Sequence, residues 1–457
     1  MMDFQLVRRL LPGVDVIARM PLRALALMLV IGVSGCAWIK PAEDGNRLAG
    51  ERISVLTYES KLKSDPKIAK IEVRLPRPFV NKEWPQAGGL PHHAMQHLAA
   101  SGPLAPLWDA DIGTGTGGDI RLLAQPVAGG GAVFTLDSKG RVSALDALSG
   151  KLLWRYGLRP RGSLVSVGFG GGLAYDNGRI YATTGFGQII AMQASDGAEI
   201  WRKTLDTPIR TAPTIGNGRI FVITNDNQLY ALTEETGEIE WSYVGIVESA
   251  GLLGGASPAL FGETLIAPFS SGELVSLRAA SGLVGWVDSL TRTGRPTPMA
   301  VLNDLKSGAV IDRGRVYSIS HSGRMAAVDL RSGQRLWERD IAATQQPWIA
   351  GDFIFVVSQE SELVCLHRKD GGIRWVQQLA RYEDEDNREE PIFWAGPILV
   401  GDRLLLLSSD GYAMTVSPYD GSPIGRLELA DAYFIPPLVA NEIVYILSDD
   451  GQLQALR

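Results

Sequence analysis

The sequence predicts an all-β protein, an eight-bladed β-propeller of four-stranded antiparallel blades, with an N-terminal strand completing the C-terminal blade to close the ring. Three observations predict it. A block of constant internal spacing recurs seven times, and in six copies a turn glycine is followed four residues later by Trp: Trp154, Trp201, Trp241, Trp286, Trp337 and Trp375. These positions are roughly forty to fifty residues apart, the length of a propeller blade. The two chain ends carry complementary parts of one further copy.

Each block reads as a hairpin. In GRVSALDALSGKLLW, the first copy, a large apolar residue at the third position (Val142) is followed by a small one at the fifth (Ala144) and an aliphatic at the sixth, the alternation of a buried strand. A turn rich in Asp, Ser and Thr then ends in Gly150, where positive φ carries no Cβ clash. A short second strand bears the Trp. Ahead of each block lies another hairpin, such as Asp176-Asn177-Gly178 before RIYATT, which brings the count to four strands per repeat. Small residues are expected where neighbouring blades crowd, and indoles in the wedges between splayed outer strands. The seventh copy keeps the spacing but places Gly425 where Trp is expected.

Trp108, in PLWDADI, has no block in front of it, whereas EIVYILSDDGQLQALR at the C-terminus stops before its Trp strand. Together they make one blade, for eight in all rather than seven, and closure removes two exposed sheet edges.

Three segments follow. Residues 1–35 read as a lipoprotein signal peptide: Arg19 and Arg23 precede an apolar stretch, Ala24 to Val33, too short to span a bilayer, and Val33-Ser34-Gly35-Cys36 resembles the lipobox in which the Cys becomes the lipid-bearing first residue. Translation starting at Met20 fits the same reading. Residues 36–80 are expected to be a lipid-anchored tether and 81–457 the propeller. Without residues 1–35 the chain has forty basic and forty-eight acidic side chains, so its surface repels nucleic acid. Of two cysteines, Cys36 is the lipidation candidate and Cys365 occupies the small-residue position of its block, so no disulfide is expected.

No catalytic constellation emerges. His93 and His97 are spaced i, i+4 beside His92, but no third ligand or HExxH pattern accompanies them, and a packed or capping segment is the expectation. The acids of residues 383–390 lack the spacing of a calcium loop, since Arg388 stands where an oxygen is needed; they read as a solvated loop. Gly129–Gly131 and Gly168–Gly172 are not followed by Lys-Ser/Thr and read as turns. No metal, cofactor or catalytic residue is assigned.

The pattern A-x-D-x-x-x-G-x-x-x-W, intact as Ala144, Asp146, Gly150, Trp154 and as Ala327, Asp329, Gly333, Trp337, resembles the tryptophan-docking repeat of pyrroloquinoline quinone enzymes. That repeat is shared with the BamB family of outer-membrane assembly lipoproteins, which the lipobox, the repeat count and the segment WPQAGG (Trp84 to Gly89) also resemble. The resemblance implies a non-enzymatic scaffold, anchored in the outer membrane and facing the periplasm as Ala37 after the Cys implies. It further implies binding to the POTRA domains of BamA within the barrel assembly complex and help in folding and inserting outer-membrane proteins, with unfolded clients as further partners. By local alignment Leu252 and Asp304 match the family's contact residues, while Leu253 and Lys306 depart from it. A hydrophobic contact through Leu252 and Leu253 is therefore expected. A quinone-dependent dehydrogenase and a general periplasmic interaction propeller are the alternatives.

Overall fold

In a computed structural model, residues 62–159, 170–248, 252–291 and 304–457 are described, and 62–457 form one compact unit. The expectations for residues 1–61, Cys36 included, lie outside the described residues. Eight four-stranded antiparallel sheets follow one another: seven lie within 127–157, 171–204, 214–244, 259–289, 310–339, 348–378 and 394–428, hereafter blades 1 to 7. Blade 8 combines Leu438–Ala440, Ile443–Leu447 and Gln452–Leu456 with Pro106–Asp111 as its outermost strand. At that seam Trp108 faces Ala455 and Asp111 faces Gln452, and Ala105 and Arg457 exchange backbone hydrogen bonds at 2.8 and 2.9 Å.

The repeat pattern has a side-chain explanation in each blade. The Trp of the fourth strand lies directly across from the small residue of the third: Trp154 from Ala144, Trp241 from Ala231, Trp375 from Cys365. On its other side the small residue faces an aromatic ring of the second strand in six blades, for example Phe134 opposite Ala144 and Phe221 opposite Ala231. The two rings then meet over the small side chain, with centroids 6.0 Å apart for Phe134 and Trp154 and 5.9 Å for Phe221 and Trp241. This row of large, small and large accounts for the small residue within its own sheet, where crowding between blades was the expectation.

Each indole also fastens its blade to the next. Trp108 lies against Gly150, Trp154 against Gly197, and so on around to Trp375 against Gly421; at Gly150 an added Cβ would come within 2.5 Å of the Trp108 ring. The indole N–H donates to a carbonyl of the same turn, Trp154 to Ala194 at 2.9 Å and Trp337 to Arg368 at 3.0 Å. Gly425 is explained by the same geometry. The next turn position belongs to blade 8, where no Asp-to-Gly turn links the third strand to the fourth because that strand, Pro106–Asp111, comes from far earlier in the chain, and an indole there would have no platform.

The innermost strands point their free edges at the propeller axis, and buried backbone groups need partners. A belt formed by residues 81–98 supplies them blade by blade. Asn81 bonds Val439 and Asn441 of blade 8, Trp84 exchanges two bonds with Ala128 of blade 1, and the Pro85 carbonyl accepts from Tyr175 of blade 2. The Gln86 side-chain amide bonds both backbone groups of Ile215 in blade 3. The carbonyls of Pro91 and His92 take the N–H groups of Leu260 and Ile311, Gln96 accepts from Trp348 and Gly351, and Leu98 bonds Leu399 and Gly401. The circle covers all eight blades.

The boundary expected at residue 81 moves toward the N-terminus. Residues 62–80 belong to the same compact unit as the blades, because Asp65 bonds Ile373 through both backbone and carboxylate and Arg374 donates to the Ile71 carbonyl. The hydrogen bonds made by this stretch outweigh its polar, non-repeating composition.

Candidate partner-binding face

At the end of the axis opposite the belt, the connections entering the blades surround a funnel of about 260 Å³. Its floor is the belt itself: Trp84, stacked on Trp348 at 6.5 Å, with Gly88 and His93. Its walls come from residues just ahead of the innermost strands, including Leu122 and Leu123, residues 253–257, Lys306, Gln346 and residues 434–437.

The Leu252–Leu253 loop is held on this face by a buried ion pair. Arg210 Nη2 lies 3.1 and 2.9 Å from the two Asp304 oxygens and also donates to the Gly254 carbonyl. Asp304 Oδ2 accepts the Leu252 N–H at 2.9 Å. Arg210 thus grips the loop at residue 254 and Asp304 at residue 252, and Leu253 between them is 51% exposed while Leu252 is half-buried. Asp304 was expected among the contact residues, but only 1% of its surface is accessible. Its oxygens are already engaged, so its carboxylate shapes the loop from behind. Beside it, burial lowers the pKa values of Lys306 and His321, each opposed by the Asp304 charge.

Sequence reasoning missed the aromatic part of this face. Phe434 lines the funnel, remains 43% exposed and packs on the exposed Phe393, ring centroids 6.0 Å apart. Neither belongs to the repeat block; the only signal was an aromatic residue ahead of Ile435-Pro436-Pro437. Ile246 and Val247, in the connection leading to residue 252, are also exposed. Exposed apolar side chains of this size, such as the Phe393–Phe434 pair, mark contacts.

The three histidines do not converge. Their segment is not helical; His93 bonds the Ala309 carbonyl through Nδ1, and His97 bonds Pro76 through Nδ1 while its Nε2 accepts the Asp402 N–H. Because Nδ1 of His93 faces a carbonyl it carries the proton, and burial lowers the ring's pKa to about 4. Among the described residues no group of three His, Cys, Asp or Glu side chains could hold a metal ion. The acidic segment forms a small exposed hairpin, Tyr382–Asp384 against Glu389–Pro391, and Cys365 is fully buried with its pKa pushed up by burial.

Comparison with known proteins agrees with this architecture. A family model described as outer membrane protein assembly factor BamB matches residues 98–167 and 138–377. The outer membrane protein assembly factor BamB of Moranella endobia is 27% identical over 77% of this chain and 89% of its own length. Among solved structures, BamB from Moraxella catarrhalis superimposes with a TM-score of 0.63 at 19% identity, covering 78% of this chain and 98% of that one. Quinohemoprotein alcohol dehydrogenase from Comamonas testosteroni gives the same TM-score at 12% identity over 82% and 80%, a likeness of fold alone. With the family match extending over more than half of its length, the chain belongs to the BamB family of outer membrane protein assembly factors.

Proposed function

We propose that this protein is a non-enzymatic scaffold of the barrel assembly machinery, which binds the POTRA domains of BamA through its funnel face and assists folding and insertion of outer-membrane proteins. Leu253 is the anchor, with Leu252, Phe434 and Phe393 extending the apolar contact. The observation that carries this reading is the Arg210–Asp304 clamp: a buried ion pair fixes a loop whose most prominent side chain is an exposed leucine. A preorganised apolar side chain costs little entropy on binding. Cys36 would supply the lipid anchor in the outer membrane and leave the propeller in the periplasm.

The test is copurification of BamA from solubilised membranes with wild type and with Leu253→Glu. The variant should retain the wild-type thermal midpoint, because the side chain is half exposed, and should lose BamA. Undiminished BamA retention by the variant would overturn the assignment.

A further inference from the structure

We propose that the belt side of blades 5 and 6, with the strap of residues 62–78 that crosses blade 6, is a docking surface for anionic phospholipid headgroups. The inference rests on the reading of Cys36 as a lipid anchor only for the identity of the surface met. The charge pattern stands without it.

The mature chain is acidic overall, yet the strap carries five basic side chains against two acidic ones. Lys63, Lys67, Lys70 and Arg77 are exposed, while Asp65 spends its carboxylate on the Ile373 N–H. The strap passes the two turns of blade 6 on the belt side: Ile68 lies against Gly372, and the Arg74 carbonyl against Gly351.

The residues next to those turns, with two from blade 5, line an open cavity of about 300 Å³ formed by Arg313, Arg315, Asp352, His367, Arg368 and Lys369. Three carboxylates answer part of this charge, Asp352 on Arg313, Asp312 on Arg368 and Asp370 on His367. Among the described residues, Arg315 gives Nη1 to the backbone carbonyls of Arg368 and Lys369 rather than to a carboxylate. A phosphate monoanion fits the excess positive charge at this cavity, and the strap extends that charge across blade 6.

The described chain begins at Leu62, whose N–H donates to Glu362 of blade 6, and reaches the belt-side turn of that blade at Asp65 and Ile68. Residues 37–61 span at most about 90 Å even when fully extended, so the strap is the first described part of the protein that the anchored end can hold near the bilayer. Tethering raises the local concentration of lipid headgroups, and weak contacts by several lysines then add up. The funnel lies at the opposite end of the axis and stays open for its partner.

The experiment uses the full chain carrying Cys36→Ala, so that no acyl group contributes, in flotation with phosphatidylcholine vesicles with and without phosphatidylglycerol. Binding should require phosphatidylglycerol and fall steeply between about 50 and about 300 mM salt. Lys67→Gln/Lys70→Gln/Lys369→Gln should weaken it at least about tenfold, whereas Lys139→Gln/Lys151→Gln/Lys203→Gln, the same charge change on blades 1 and 2, should not. Equal binding by both triple variants, or equal binding to neutral vesicles, would overturn the proposal. So would binding of inorganic phosphate, read by calorimetry, without any binding to vesicles. Leu253→Glu should leave flotation unchanged and the strap variant should still retain BamA, so failure of either reading is seen separately.

Discussion

Replacing Asp304 by Ala tests the central piece of the partner-binding face. The substitution leaves the Arg210 guanidinium, 7% exposed at its side chain, without its anion, and it frees the Leu252 N–H. Lys306, whose pKa burial already depresses, then loses its attractive neighbour and keeps only the repulsive one. Breaking a buried pair by removing one partner costs about 3–5 kcal/mol. With an unfolding entropy of about 2 cal/mol/K per residue over roughly 400 residues, that loss lowers the thermal midpoint by about 4–6 °C. Arg210→Met combined with Asp304→Ala should recover a substantial part, because the orphaned charge goes with its partner; unfolding scans of the two single variants and the double variant form a cycle that isolates the coupling. BamA retention should fall in Asp304→Ala alongside stability, since Leu253 is no longer held. If Asp304→Ala keeps the wild-type midpoint and still loses BamA, the carboxylate faces the partner and the clamp argument is wrong.

Gly237→Ala should destabilise by at least about 2 kcal/mol, since its φ is +70° and the new Cβ would meet the Trp201 ring at 2.6 Å; Gly218→Ala, with the same φ in open space, isolates the backbone part at about 1 kcal/mol in urea titrations. Should the two variants cost the same, the indole contact contributes nothing. Gly425→Trp should change stability by no more than about 0.5 kcal/mol and add an indole open to iodide quenching, whereas a protected indole would show that blade 8 offers a platform after all. His93 has its pKa depressed to about 4 from 6.5, so unfolding takes up a proton between those values. Its contribution is therefore full above about pH 6.5 and is lost as pH falls toward 4, a change of up to about 3 kcal/mol. His93→Gln should flatten the profile of urea midpoints over that interval, and profiles parallel to wild type would refute the assignment.

The propeller was legible because its defining contacts recur at fixed spacing. A turn glycine, a small residue and an indole keep their separations in six copies, and the seam was legible from Trp108 and the C-terminal block, whereas the reason for Gly425 in the seventh copy became visible only with the seam itself. The reason for the small residue was not legible, because it depends on which side chains stand opposite it in the adjacent strands. The belt escaped for a different reason. Apart from Asn81, Gln86, His93, Gln96 and His97 its bonds to the blades are made chiefly by backbone groups, reach partners far away in the chain and leave no periodic trace. At the candidate site, Leu253 could be read from its Gly-rich loop, whereas the burial of Asp304 could not, since nothing in its own segment reveals Arg210, 94 residues earlier in the chain.

The two ends of the axis have different freedom to vary. At the belt end, the innermost strands are fixed by eight sets of hydrogen bonds to one continuous segment, and a change in any of them disturbs a ring-wide circuit. At the funnel end the chain crosses from one blade to the next through longer connections that lie outside the sheet registers, and these carry Leu253, Lys306 and Phe434. Specificity can therefore be written into those connections without altering the blades, and a shared propeller can serve an assembly scaffold and a quinone enzyme alike. The clamp between Arg210 and Asp304 follows from this: a connection that holds one leucine exposed needs a fixing point of its own, because no strand pairing supplies one.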